Sequence, residues 1–176
     1  MVSIGVDIGG MSIKGAAVNE KGQIEVNSIS AAITDETILV SVMAVNNETG
    51  AVNPIKEIGE IIKKYPKVAF HVDMVQAIGK VDISLDNVDL ISFAGHKIHG
   101  LLGSGALIKE KKIILKPLQN GGGQENNLRS GTNTLALSAS LAKALRLVID
   151  HQKENYEHVK SLADYLLNYL KDNPDK

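Results

Sequence analysis

No cysteine occurs anywhere in the 176 residues. That single absence removes disulfides, thiolate metal sites and thiol nucleophiles together. Aromatic residues are nearly as scarce, with two Phe, four Tyr and no Trp. That is too few for a surface on which successive nucleic-acid bases stack. Neither sign of charge is in excess: 19 Lys and Arg stand against 20 Asp and Glu, for a formal net charge of −1. No bulk field therefore draws the chain to nucleic acid or to an acidic membrane, and any anion must be held by local donors. Nor is there an apolar run long enough to cross a bilayer. The opening MVSIGVDIGG lacks the basic region and long apolar core of a secretory signal, so the expected location is cytoplasmic.

What remains is ordinary globular material, 44% hydrophobic and 22% charged, in a length suited to one domain with its own core. Alternation from Val2 to Val18 around a glycine pair predicts a β-hairpin. The polar stretch 19–37 predicts a turn at Gly22, one short strand and a short helix. ILVSVMAV (Ile38 to Val45) is a continuous β-rich run, the pattern of a parallel strand buried on both faces. A helix is expected from Pro54 to Lys64, with Ile55, Ile58, Ile61 and Ile62 at helical spacing and Pro66 as its stop. VAFHVD (Val68 to Asp73) and DLISF (Asp89 to Phe93) read as further strands, and GALI with KIILK as a hairpin. Two amphipathic helices follow, Thr134 to Ile149 and Asn155 to Leu170, with Thr132, Asn133 and Thr134 as candidate caps. The order of elements predicts an α/β fold: a mainly parallel sheet with crossover helices, an N-terminal β-hairpin and a C-terminal helical pair.

In open α/β sheets ligands gather beyond the C-terminal ends of the strands. Asn46-Asn47-Glu48, then Asp73 with Gln76, then His96-Lys97 all fall there. Each group alone has an ordinary structural use. Asp73 suits a cap, Asn47 a turn and Lys97 a solvated surface position. At successive strand ends they point to a site. A carboxylate, a lysine and glycine-flanked backbone at one rim suit pyridoxal phosphate, whose aldehyde condenses with a lysine amine and whose ring nitrogen needs a carboxylate partner.

SVMAVNNETGAVNPIKEIGEI, FHVDMVQAIGK, ISFAGHKIHG and GGGQENNLRSGTNT, in that order, closely resemble the middle of cysteine desulfurases of the NifS/IscS type, fold-type I pyridoxal-phosphate enzymes. The resemblance implies that Lys97 is the aldehyde-binding and catalytic lysine. It makes Asp73 the partner of the ring nitrogen, Gln76 the donor to the ring oxygen, His96 a phosphate ligand and Asn47 an amide facing cofactor and substrate. It implies a homodimer in which Thr132 reaches the phosphate of the partner's site. It names no metal, and the histidines show no metal-ligand spacing.

Other positions depart from the family pattern. The family's N-terminal phosphate loop and its small domain with the catalytic cysteine have no counterpart here. Ala94 stands where a phosphate-binding serine is usual, Leu101-Leu102 where Pro-Lys is usual, and Asn126 where arginine is common. The opening IGVDIGGMSIKGA instead resembles the DxGGTxxK hairpin of ROK-family sugar kinases, with Asp7 and Lys14 in place and Met11 in the threonine position. The expected organisation is a chimera, engineered or recombined: a ROK-like hairpin over residues 1–17, and a truncated desulfurase-like domain over 18–176. Such a chain would not release sulfur from cysteine by itself, and a non-catalytic scaffold without ligand is the alternative.

Overall fold

Three parallel strands and one antiparallel strand form the central sheet. The computed structural model describes residues 3–4 and 16–173. Among them a two-stranded ladder comes first, β1 (Ser3–Ile4) running antiparallel to β2 (Ala16–Ala17). This agrees with the expected hairpin, whose turn, with Asp7, Gly9, Gly10, Met11 and Lys14, lies outside the described residues. Gly22 takes the left-handed φ of +72° that its turn requires, and α1 (Val26–Ala32) follows.

The sheet order is β3 (Leu39–Met43), β4 (Ala69–Asp73), β5 (Leu90–Ala94), β6 (Gly105–Lys109). β3, β4 and β5 are parallel, with Met43, Asp73 and Ser92 in register; β6 returns antiparallel on β5. Helix α2 (Ile55–Ile62) connects β3 to β4 and starts at Pro54 as expected. Its Ile55, Ile58 and Ile62 are buried against Val42, Phe70, Val72 and Phe93 on one face of the sheet. Each such side chain contributes roughly 1.5–3 kcal/mol by leaving water.

Helices α3 (Leu135–Asp150) and α4 (Gln152–Asp172) close the chain. Ala144 and Val148 of α3 join the core, with Leu141 and Leu145 packed at its edge. α4 buries none of its residues: Leu162, Leu166 and Leu170 are all exposed. Among the described residues, no helix is long and apolar enough to cross a membrane.

Three expectations need correction. β3 is not buried on both faces: Leu39 and Ser41 are exposed on the side opposite α2. KIILK forms no strand; GALI, as β6, pairs with β5 instead, where it gains a complete ladder. Thr134 is the N-cap residue of α3, yet its side chain makes no capping bond, and Asn133 donates to Glu125.

Candidate functional site

Parallel pairing of β4 and β5 brings the ends of both strands to one rim. β4 delivers Asp73, whose Oδ1 accepts the Val75 N–H at 2.8 Å. That bond folds the chain into a helical turn, closed by the Ala77 and Ile78 N–H groups on the Met74 carbonyl. Gly79 ends the turn with φ +73°, and a Cβ there would press on Val148 of α3. The turn is therefore held between β4 and α3, with Gln76 on it. Lys80 lies one helical step further on, and its Nζ donates to Gln76 Oε1 at 3.1 Å.

β5 delivers His96 and Lys97 on a 3-10 turn, Gly95–Ile98. Gly95 is buried, and any Cβ on it would collide with the Ser104 hydroxyl. Its carbonyl accepts the His99 and Gly100 N–H groups, with His99 in the left-handed region at φ +65°. Ile98 points inward, 2% exposed, while His96 and Lys97 face solvent. The Leu101 N–H donates to Ser140 Oγ of α3 at 3.1 Å. The lysine thus rides on a turn fixed at both ends.

The remaining expected residues are placed differently. Asn47 sits in the exposed turn after β3, its Nδ2 donating to Glu48 at 2.8 Å. No described contact joins it to Asp73, Gln76 or Lys97. Thr132 is exposed in the loop before α3, and no described hydrogen bond joins it to Asp73, Gln76, His96 or Lys97. Leu101 and Leu102 are 54% and 79% exposed, so they leave apolar surface beside the lysine turn.

A polar row on the open face of the sheet was not anticipated. The His71 ring bridges Ser41 Oγ at 2.7 Å through Nδ1 and Ser92 Oγ at 2.9 Å through Nε2. Burial holds the imidazole below its ordinary value of 6.5, against an opposing pull from the Asp73 carboxylate. Alternating polar residues within otherwise apolar strands were the available signal. Lys80 was missed as well. The pKa of its amine is lowered first by burial and then by the Lys97 ammonium. Among the described residues, no three His, Asp or Glu groups gather as metal ligands do.

Do these residues suit pyridoxal phosphate? The second carboxylate oxygen of Asp73 has no partner among the described residues, which leaves an acceptor for a ring N–H. Lys97 is solvent-accessible, as condensation with an aldehyde requires. The donor set fits. The class-V aminotransferase family model matches residues 6–176. The chain belongs to that family. Its members named cysteine desulfurase are pyridoxal-phosphate enzymes, and the cofactor expected from the sequence is the family's own. The chain is 42% identical over 168 residues to the NifS/IcsS protein homolog of Lactobacillus delbrueckii, covering 94% of the chain and 44% of the relative. It is 43% identical to the cysteine desulfurase IscS of Rickettsia prowazekii over 165 residues, 92% of the chain and 40% of the relative. A solved NifS-like protein superposes with a TM-score of 0.87 at 35% identity, covering 93% of the chain and 46% of that protein. The chain thus spans less than half the length of these relatives. The family match takes in residues 6–17, the greater part of the segment that resembles ROK kinases.

Proposed function

We propose that this chain holds pyridoxal phosphate at the rim formed by β4 and β5 and does not release sulfur from cysteine by itself. The observation that carries the proposal is the placing of Asp73 and Lys97 at the same ends of two adjacent parallel strands, with Gln76 between them in sequence. When bound, the cofactor supplies an electron-withdrawing ring that stabilises negative charge on a substrate carbon. The chain's part is positional. Lys97 offers the amine, Asp73 would keep a proton on the ring nitrogen, Gln76 would donate to the ring oxygen, and His96 would take the phosphate. Asn47 would face the substrate, and Thr132 would serve the site of a second copy in a homodimer. Ala94 offers no hydroxyl to the phosphate, and the loss of one charge-assisted bond weakens retention by roughly 1.5–3 kcal/mol. Without any cysteine, the chain has no thiol to accept sulfur.

Titration with pyridoxal phosphate, borohydride reduction and mass mapping test the proposal. Saturable labelling at Lys97, abolished by Lys97→Ala, is expected. Labelling scattered over the surface lysines would overturn it and favour a second reading: a scaffold in which desulfurase-like segments over 18–176 are joined to a ROK-like hairpin over 1–17, with no ligand. Ala94 and the Asp7–Lys14 motif speak for that reading.

A further inference from the structure

Lysine carries only donors, so the atom of Gln76 that meets Lys80 Nζ must be the carbonyl oxygen. The orientation of an amide side chain is usually open to a flip of N for O. Here the neighbouring ammonium settles it. The Nε2 of Gln76 consequently faces away from Lys80, and both its N–H groups lack a partner among the described residues. The main chain at Lys80 is fixed. Its own N–H bonds the Ala77 carbonyl at 3.0 Å, and the next N–H, of Val81, bonds the same oxygen at 3.1 Å. Gly79 just before it is seated against Val148.

We propose that Lys80 is a positioning residue for the β4–β5 rim: its ammonium holds the Gln76 carbonyl oxygen and so presents the Gln76 N–H2 group as a donor to an anionic or phenolic oxygen of the ligand. The proposal rests on the pyridoxal-phosphate reading for the identity of that ligand, while the Lys80–Gln76 pairing stands apart from it.

Two measurements separate the possibilities. In the first, the Gln76 side-chain N–H2 resonances of 15N-labelled chain are followed without ligand in wild type, Lys80→Met and Lys80→Arg. Lys80→Met is expected to shift or broaden them toward the values of a free amide, and Lys80→Arg, which keeps a donor, to restore them. Unchanged resonances in Lys80→Met overturn the pairing. In the second, half-saturation of Lys97 labelling by pyridoxal phosphate is measured in a cycle with Gln76→Ala. Loss of one hydrogen bond of ordinary strength corresponds to about a fivefold higher half-saturating concentration in Lys80→Met. In the Gln76→Ala background the same substitution is expected to have almost no effect. An equal effect in both backgrounds would make Lys80 a bulk charge and overturn the positioning role. If wild-type chain shows no selective labelling at Lys97, the cofactor reading fails and takes the ligand-directed part of the proposal with it. The resonances still decide the pairing.

Discussion

The two faces of the central sheet are built on opposite principles. One carries Val42, Phe70, Val72 and Phe93 under α2, with Phe70 and Val72 fully buried and Ala144 and Val148 of α3 in the same core. The other carries Ser41, His71, Asp73 and Ser92, with Ser41 and Ser92 tied laterally by hydrogen bonds through the His71 imidazole. Parallel sheets ordinarily have both faces covered. The first face is stabilised by exclusion of water. The second resists water by pairing its polar groups, and no buried side-chain polar atom among the described residues lacks a partner. The site residues project from the rim between these two regimes, and the His71 imidazole of the second face feels the Asp73 carboxylate at that rim.

The sharpest break is Phe70→Ala. Phe70 is fully buried at the centre of the covered face, and truncation there is expected to cost about 3–5 kcal/mol of unfolding free energy in urea. Labelling at Lys97 should fall with it. A cost below about 1 kcal/mol would mean that the covered face is not the main support of the fold.

Gly79→Val tests how that face fixes the rim. Left-handed backbone and the approach of Val148 both oppose any side chain at position 79, so a loss of roughly 1–3 kcal/mol is expected. Adding Val148→Ala should relieve the steric part and leave the backbone part. If the double variant is no better than the single, α3 does not press on this turn.

These same residues show what the sequence made legible. Apolar runs of strand length separated by a periodic helix were enough to place β3, α2, β4 and β5 and their parallel order. The ends of those strands were enough to single out Asn47, Asp73, Gln76, His96 and Lys97 as candidates, of which β4 and β5 carry the last four on neighbouring strand ends. The open face was not legible. ILVSV reads the same whether or not another layer lies over it, because burial belongs to the neighbours as much as to the strand. The partner of GALI was misread because strand pairing is nonlocal, and two runs close in sequence need not pair. Lys80 was invisible because VQAIGK contains a glycine and no helical repeat, so nothing signalled that residues 76 and 80 share a turn. Asn47 entered by its place after β3 as well as by the resemblance, and Thr132 as a site residue by the resemblance alone; no described hydrogen bond joins either of them to the rim.

His71 sharpens the comparison from the open side. Burial holds its folded value below 6.5, so in the unfolded chain the imidazole takes up a proton first. Below pH 6.5 the unfolded state therefore binds more protons, and stability falls as pH drops toward the lowered folded value; above 6.5 this contribution is constant. Urea unfolding at pH 7.5 and 5.5 should show the decline, and His71→Gln should flatten it. Ser41→Ala, which removes one of the two hydroxyls, is expected to cost roughly 0.5–1.5 kcal/mol. An unchanged pH profile in His71→Gln would assign the decline to other groups.

The smallest effect is expected in α4, where the contrast between covered and uncovered surface is most extreme. Val159, Leu162, Leu166 and Leu170 recur at helical spacing with exposures of 63%, 56%, 54% and 44%. α4 buries nothing, whereas Ala144 and Val148 of the adjoining α3 lie in the core. If α4 contributes no packing to the sheet, Leu162→Asp with Leu166→Asp should change the unfolding free energy measured at β-strand amides by less than about 0.5 kcal/mol. Helix content would fall only through propensity, since aspartate is a poorer helix former than leucine by a few tenths of a kcal/mol per residue. A loss above about 2 kcal/mol would place the α4 face against the body of the chain. It would also make the open sheet face, with its one bridging imidazole, the natural surface for that contact.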